Sequence, residues 1–126
     1  EAMLKTGGGA IVNTASVAAV VGWKHHGVYS SAKAGVHQLT KVAALDYSDR
    51  NIRVNAVAPG TMWTGLVEAS KSHDAPPEGF PTLAGIPMGR WGTPDDLATS
   101  VLFLASPSSS YVTGITVPVD GGWLVR

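Results

Sequence analysis

Cysteine is absent from this 126-residue chain, charged residues make up only 14% of it, and no apolar run is long enough to cross a bilayer. Without cysteine there are no disulfides, thiolate metal ligands or thiol nucleophiles; a reducing compartment is compatible with this, and we expect a cytoplasmic protein. A membrane-spanning helix needs about 18 consecutive apolar residues, so we predict no membrane partner. Nine basic residues balance nine acidic ones without a basic cluster, which argues against nucleic-acid binding.

What the chain does contain is enough apolar sequence, 44%, to build a packed core. The first five residues are typical of a helix end, and Gly7 follows where a left-handed glycine would terminate it. A short β-branched run at 10–15 predicts a buried strand, and apolar residues spaced by threes and fours at 28–49 predict a helix. A second apolar run at 52–58 completes a strand, helix and strand unit with parallel strands.

The second half of the chain begins with an irregular segment, 61–91, rich in proline and glycine, which is typical of a lid or binding loop. Thr93 and Asp96 have the spacing of a capping box and predict a helix start, with Pro94 at its first position. An apolar run at 115–119 predicts a third strand, and Pro118 indicates either a sheet edge or an irregular end of that strand. These units predict an α/β fold, half of a doubly wound parallel sheet.

Tyr29 and Lys33 are four residues apart at the start of the long helix, so their side chains share one face. An ammonium group beside a phenol stabilises the phenolate and makes the phenol a usable acid–base group. A surface pair without function remains the alternative. Ser16 lies at the carboxyl end of the first predicted strand, where open α/β sheets bind ligands. Its alternative is a strand-end hydroxyl that caps a turn; beside Tyr29 and Lys33 we favour a catalytic role.

The chain resembles the short-chain dehydrogenase/reductases over almost its whole length. The resemblance is carried by several motifs in the family's order: Gly-Ala-Ile-Val-Asn-Thr-Ala-Ser at 9–16, Tyr-Ser-Ser-Ala-Lys-Ala-Gly at 29–35, Ile-Arg-Val-Asn-Ala-Val-Ala-Pro-Gly at 52–60 with Thr64, Gly-Arg-Trp-Gly-Thr-Pro-Asp-Asp at 89–96, Val-Thr-Gly at 112–114 and Val-Asp-Gly-Gly at 119–122. It implies a Rossmann-like fold, of which this chain is the C-terminal part, and hydride transfer between a carbinol carbon and a nicotinamide cofactor, NAD or NADP.

The resemblance also implies roles for individual residues. Tyr29 would be the general acid/base, Lys33 would bind the nicotinamide ribose, and Ser16 would orient the substrate oxygen. The remaining cofactor contacts would come from the turn after the second strand, namely Pro59, Gly60, Thr61 and Thr64.

The family's glycine-rich turn for the pyrophosphate and its NAD-versus-NADP determinant are not in this sequence. We therefore expect the chain to be the C-terminal portion of one domain, spanning 1–126, with 61–91 as the substrate-binding loop and a small alcohol or ketone as substrate. The family's subunit contacts and the low charge predict a homo-oligomer, a tetramer or a dimer. A noncatalytic binding or assembly module is the alternative. The enoyl reductase branch spaces its tyrosine and lysine more widely, so the spacing here argues against it.

Two further features of the sequence have limited functional meaning. His25 and His26 are adjacent, lack carboxylates at ligand spacing and do not predict a metal site, although either can contact substrate. Ser30 and Ser31 are predicted to cap backbone groups at the helix start.

Overall fold

A three-stranded parallel sheet organises the chain, and the computed structural model describes residues 1–65 and 85–125. The strands are β1 (Gly9–Thr14), β2 (Ile52–Pro59) and β3 (Thr116–Val119), and β2 lies between the other two. Among residues 1–65 and 85–125 the α-helices with described bounds are α1 (Ala2–Lys5), α2 (Gly27–Tyr47) and α3 (Pro94–Ala105). The α/β class and the parallel sheet predicted from the sequence are confirmed.

Alternate residues of β2 contact different helices, as the pleat of a strand requires. Ile52 and Val54 pack with Ala44 of α2 in the apolar core, whereas Arg53 reaches the end of α3. The two long helices therefore cover opposite faces of the sheet. This three-layer arrangement explains why β2 is buried along most of its length.

The starts of α2 and α3 are formed in different ways. Thr93 and Asp96 make the predicted capping box at α3, with Pro94 in the first turn. The prediction for Ser30 and Ser31 is wrong: His26 is the residue at the N-terminal boundary of α2 and makes no side-chain cap. Ser30 Oγ has no hydrogen-bond partner among the described residues.

Arg53 fixes the chain that follows α3 to the centre of the sheet. Its guanidinium donates to four groups within 3.4 Å: the carbonyls of Leu104, Ser106 and Val112 and the hydroxyl of Ser109. Asn55, which is fully buried, donates to the Val112 carbonyl at 2.8 Å and accepts from the Ile115 amide at 3.2 Å. These polar side chains on β2 therefore guide the chain from α3 into β3.

We expect Arg53→Lys to lower the free energy of unfolding by about 2 kcal/mol, because one ammonium cannot replace a planar guanidinium that bonds to four acceptors. Denaturant unfolding of the purified protein measures the change. Arg50→Lys is the matched control, since Arg50 is exposed and its nearest carboxylate oxygen, on Asp49, is 3.9 Å away; it should change stability by less than about 0.5 kcal/mol. Equal effects of the two substitutions would contradict the role of Arg53.

Asp96 is bound by Arg90 through two hydrogen bonds, at 2.6 and 2.9 Å, and by the amide and hydroxyl of Thr93. The bonds from Arg90, and then those from Thr93, hold the pKa of Asp96 well below its usual range. A carboxyl whose pKa is lower in the folded state than in the unfolded state stabilises the fold. This stabilisation is complete at pH values above the unfolded-state pKa of about 3.9 and is lost as the pH falls toward the folded-state pKa.

The stability difference between the wild-type protein and Asp96→Asn should therefore be constant above about pH 5 and should shrink as the pH falls below about 4. Added salt should reduce it, because the ion pair is partly exposed. Unfolding measured across pH 3 to 7, roughly the range over which the carboxyl titrates, checks the sign. A difference that grew on acidification would contradict the assignment.

Candidate active site

The carboxyl ends of β1 and β2 open into a cavity of about 410 Å³. It collects six of the seven residues that the sequence predicted for the site. The lining residues are Thr14, Ala15, Ser16, Trp23, His26, Tyr29, Lys33, Pro59, Gly60, Thr61 and Met62. Residues that are up to 48 positions apart in the chain (14 to 62) thus meet at one edge of the sheet.

Ser16 lies immediately beyond the end of β1 and is only 6% exposed. Its Oγ accepts a hydrogen bond from the Ala18 amide at 3.2 Å and so caps the short 3₁₀ helix Val17–Ala19. The sequence is compatible with a capping hydroxyl or a site residue at position 16, and in the structure Ser16 caps this turn while lining the cavity. Because the bond uses an oxygen lone pair, the hydroxyl proton of Ser16 is still available to a ligand.

Tyr29 and Lys33 lie in the first two turns of α2, on the same side of the cavity. Lys33 Nζ is 5.8 Å from the centre of the Tyr29 ring and donates to the Thr14 carbonyl at 2.9 Å. An ammonium has three N–H donors, so two remain after the bond to Thr14. The bond ties the helix to the end of β1 and fixes Lys33 beside the phenol.

Pro59, Gly60 and Thr61 form the opposite wall, where the chain leaves β2. The Gly60 amide donates to the Val119 carbonyl at 2.9 Å, and a Cβ at this position would be only 2.9 Å from the backbone of Asp120. This close approach requires glycine. Thr61 is 8% exposed, and its hydroxyl oxygen is buried without a hydrogen-bond partner among the described residues. A buried hydroxyl without a partner is costly, and this one is covered by protein atoms rather than exposed to the cavity.

Thr64 is the predicted site residue that does not line this cavity. It lies instead in a separate apolar groove of about 540 Å³ beside α3, together with Met62, Pro94, Leu97, Ala98, Val101, Leu102 and Ala105. Its contact with a cofactor stays a prediction. Of the proposed substrate loop 61–91, residues 66–84 lie outside the described residues.

Trp23 and His26 line the cavity although neither was among the predicted site residues. The sequence allows either His25 or His26 to contact substrate, and the structure places only one of these two residues in the cavity wall. His25 has a left-handed backbone, with φ of 66°, and is exposed. His26 is half-buried in the cavity wall. The only sequence signal for either residue was its position between Ser16 and Tyr29.

Residues 1–65 and 85–125 contain no group of three or more histidine, aspartate or glutamate side chains close enough to hold a metal ion. None of the helices in these ranges combines the length and apolar character that a membrane span needs.

Comparison with known proteins identifies the family of this chain. Residues 1–124 match the family described as enoyl-(acyl carrier protein) reductase, one of the groups of short-chain dehydrogenase/reductases. This chain belongs to the short-chain dehydrogenase/reductase family.

Individual relatives have several different names. The chain is 49% identical to 3beta-hydroxysteroid dehydrogenase 1 of Eggerthella lenta, with 90% of this chain and 43% of that protein covered. It is 43% identical to the 3-oxoacyl-acyl-carrier-protein reductase of Thermotoga maritima, with 98% and 48% covered. The chain spans about half the length of the curated relatives it matches.

A solved structure shows the same fold. It is provisionally described as a 2-deoxy-D-gluconate 3-dehydrogenase from Agrobacterium tumefaciens with bound NADP. It is 40% identical, has a TM-score of 0.88, and aligns with 98% of this chain and 50% of its own. The Rossmann-like fold expected from the sequence is thereby confirmed.

Proposed function

We propose that this chain is the C-terminal, substrate-binding portion of an NAD(P)-dependent oxidoreductase that interconverts a secondary alcohol and a ketone. The observation that carries the proposal is the single cavity in which Ser16, Tyr29 and Lys33 meet at the ends of two parallel strands. Two of the relatives are called a hydroxysteroid dehydrogenase and a 3-oxoacyl reductase, names that concern hydroxyl and keto groups. These names and the four-residue spacing of Tyr29 and Lys33 favour reduction of a ketone over reduction of an enoyl group. The matching family is nevertheless described as enoyl-(acyl carrier protein) reductase.

The residues of the cavity fit the nicotinamide and ribose end of a dinucleotide. Lys33 has two N–H donors left for ribose hydroxyls, and the backbone at Thr61, which lines the cavity, would contact the carboxamide. Pro59 and Gly60 would form the floor beneath the ring. When bound, the dinucleotide would supply the hydride acceptor for an alcohol and the hydride donor for a ketone. The NADP found in the Agrobacterium structure supports a cofactor of this class, either NAD or NADP, for the present chain.

The chain's own residues would then orient the substrate and move its proton. The Ser16 hydroxyl donates a hydrogen bond to the substrate oxygen and keeps its own proton. The capping bond from the Ala18 amide holds Ser16 Oγ in position for this contact. Tyr29 accepts the hydroxyl proton of an alcohol or returns it to a ketone oxygen. Lys33 stabilises the phenolate that Tyr29 forms in this exchange, since its ammonium is fixed beside the ring.

We further propose that 61–91 forms the substrate-binding loop, because the two ends of this segment are in direct contact with each other. Trp63 stacks on Trp91 with ring centres 5.1 Å apart, and the Trp63 amide donates to the Gly92 carbonyl at 2.7 Å. The ion pair between Arg90 and Asp96 holds the returning end to the start of α3.

The expected homo-oligomer is also a proposal for the whole protein. It is supported by large apolar side chains that α2 leaves exposed, among them Val28 (90%), Leu39 (61%) and Leu45 (80%). A surface of this kind is typical of a helix that packs against further protein.

Tyr29→Phe should lower kcat by at least about a hundredfold while cofactor affinity stays within a few-fold, because the ring remains and only the proton-transferring hydroxyl is lost. Steady-state kinetics and a fluorescence titration with NADH and NADPH measure the two effects. Tyr47→Phe is the matched control on the same helix, outside the cavity. Unchanged turnover in Tyr29→Phe would refute the acid/base assignment. Wild-type protein that neither binds the cofactor nor turns over would favour the noncatalytic module, which lacks the cofactor-binding half.

Lys33→Ala should weaken cofactor binding and lower kcat together, because one ammonium both contacts the ribose and stabilises the phenolate. The same titration and kinetics report the two effects. Lys41→Ala, an exposed lysine two turns further along α2, is the control and should match the wild-type protein. Full cofactor affinity in Lys33→Ala would contradict the ribose contact.

A further inference from the structure

One polar group of the cavity has no part in the proposed reaction, namely the imidazole of His26. Ser16 and Tyr29 are assigned to the reacting oxygen, and Lys33 and Thr61 to the cofactor. His26 lines the same cavity. An imidazole that faces a binding site needs a partner for each ring nitrogen once water is displaced, because an unpaired polar atom there is costly.

The hydrogen bond of His26 to the backbone defines which ring nitrogen carries the proton. Nδ1 is 2.9 Å from the carbonyl oxygen of Lys24. A carbonyl oxygen can only accept, so Nδ1 is the N–H donor, and in the neutral ring Nε2 has a free lone pair. No group among the described residues bonds to Nε2. The cavity therefore presents a hydrogen-bond acceptor to its ligand.

The ring of His26 is held next to the proposed acid/base. The His26 amide donates to the Trp23 carbonyl at 3.1 Å, and its own carbonyl accepts from the Ser30 amide at 2.8 Å in the first turn of α2. The His26 ring is edge-to-face with Tyr29, with centres 6.5 Å apart, and with Trp23, at 5.5 Å. These contacts leave little freedom for the ring to turn away.

We propose that His26 Nε2 accepts a hydrogen bond from a hydroxyl group next to the reacting carbon, so that the substrate is a vicinal diol or the corresponding α-hydroxy ketone. The inference rests on the proposed oxidoreductase function. The inference follows from two observations. The acceptor nitrogen belongs to the ring beside Tyr29, so the group that bonds to it lies near the reacting carbon of the substrate. An acceptor requires a donor, which a hydroxyl group provides and a second keto group does not. His26 is thus a specificity-determining residue.

The test compares ketones that differ only in this hydroxyl: acetone with hydroxyacetone, butanone with acetoin, and cyclohexanone with its α-hydroxy derivative. The wild-type protein should have the higher kcat/KM for the hydroxylated member of each pair. The shorter side chain in His26→Asn places its amide at the position of Nδ1 and has no atom at the position of Nε2. The variant therefore keeps a donor to the Lys24 carbonyl and loses the acceptor that Nε2 provides. The preference should then fall by about three- to tenfold, mainly through KM for the hydroxy ketones, as expected for one lost hydrogen bond.

Two further variants separate this role from a structural one. His26→Gln places an amide oxygen near the position of Nε2 and should restore much of the preference. His25→Asn makes the same change one residue earlier, at an exposed position whose left-handed backbone asparagine tolerates, and should behave as the wild-type protein.

The outcomes separate the failure of this inference from that of the proposed function. Wild-type protein that reduces the plain ketones as well as or better than their hydroxylated partners overturns the assignment of His26. An equal loss of activity on both members of each pair in His26→Asn also overturns it, because it indicates a packing role only. Wild-type protein that reduces no ketone of either kind contradicts the proposed function itself.

Discussion

The parallel register between β1 and β2 is the constraint on which the site depends. It pairs Gly9 with Ile52 and Thr14 with Val57, and the Ala15 amide continues the ladder to the Val57 carbonyl at 2.8 Å. Both strands therefore end at the same edge, where one delivers Ser16 and the other delivers Pro59. A slip of one residue would turn every side chain of a strand to the opposite face, so the two-sided core specifies the register and with it the site.

Each wall of the cavity is tied to that edge through main-chain groups. Lys33 bonds to the Thr14 carbonyl, and Gly60 bonds to Val119 of the third strand. On the other face of the sheet, Arg53 and Asn55 hold the chain between α3 and β3, which fixes where β3 pairs with β2. The side chains with proposed chemical roles thus belong to a scaffold whose polar groups are largely paired. His26, whose Nε2 lacks a partner among the described residues, lines the cavity.

Much of this fold could be predicted because its signals are local. The β-branched run before Ser16 and the Thr93–Asp96 capping box specify their elements within a few residues, and the structure confirms both. The remaining features depend on contacts across the chain. The start of α2 is set by the loop that ends at His26 rather than by the nearby serines, and the position of Thr64 in a different groove follows from the path of the chain after β2. The free nitrogen of His26 depends on a single bond to a loop carbonyl, which no pattern in the sequence encodes.

The relatives indicate that substrate choice depends on particular side chains rather than on the fold. Proteins named for a steroid, a 3-oxoacyl group on an acyl carrier protein and a deoxygluconate are 40–49% identical to this chain, so the shared fold does not by itself select the substrate. In this chain the wall beside Tyr29 consists of His26 and Trp23, and Trp23 rests edge-to-face on Trp123 with ring centres 5.8 Å apart. The 3₁₀ turn Trp123–Val125 thereby supports the aromatic wall from behind. Because aromatic contacts of this kind restrict ring orientation, the turn at Trp123 helps to hold Trp23 in the cavity wall without itself lining the cavity.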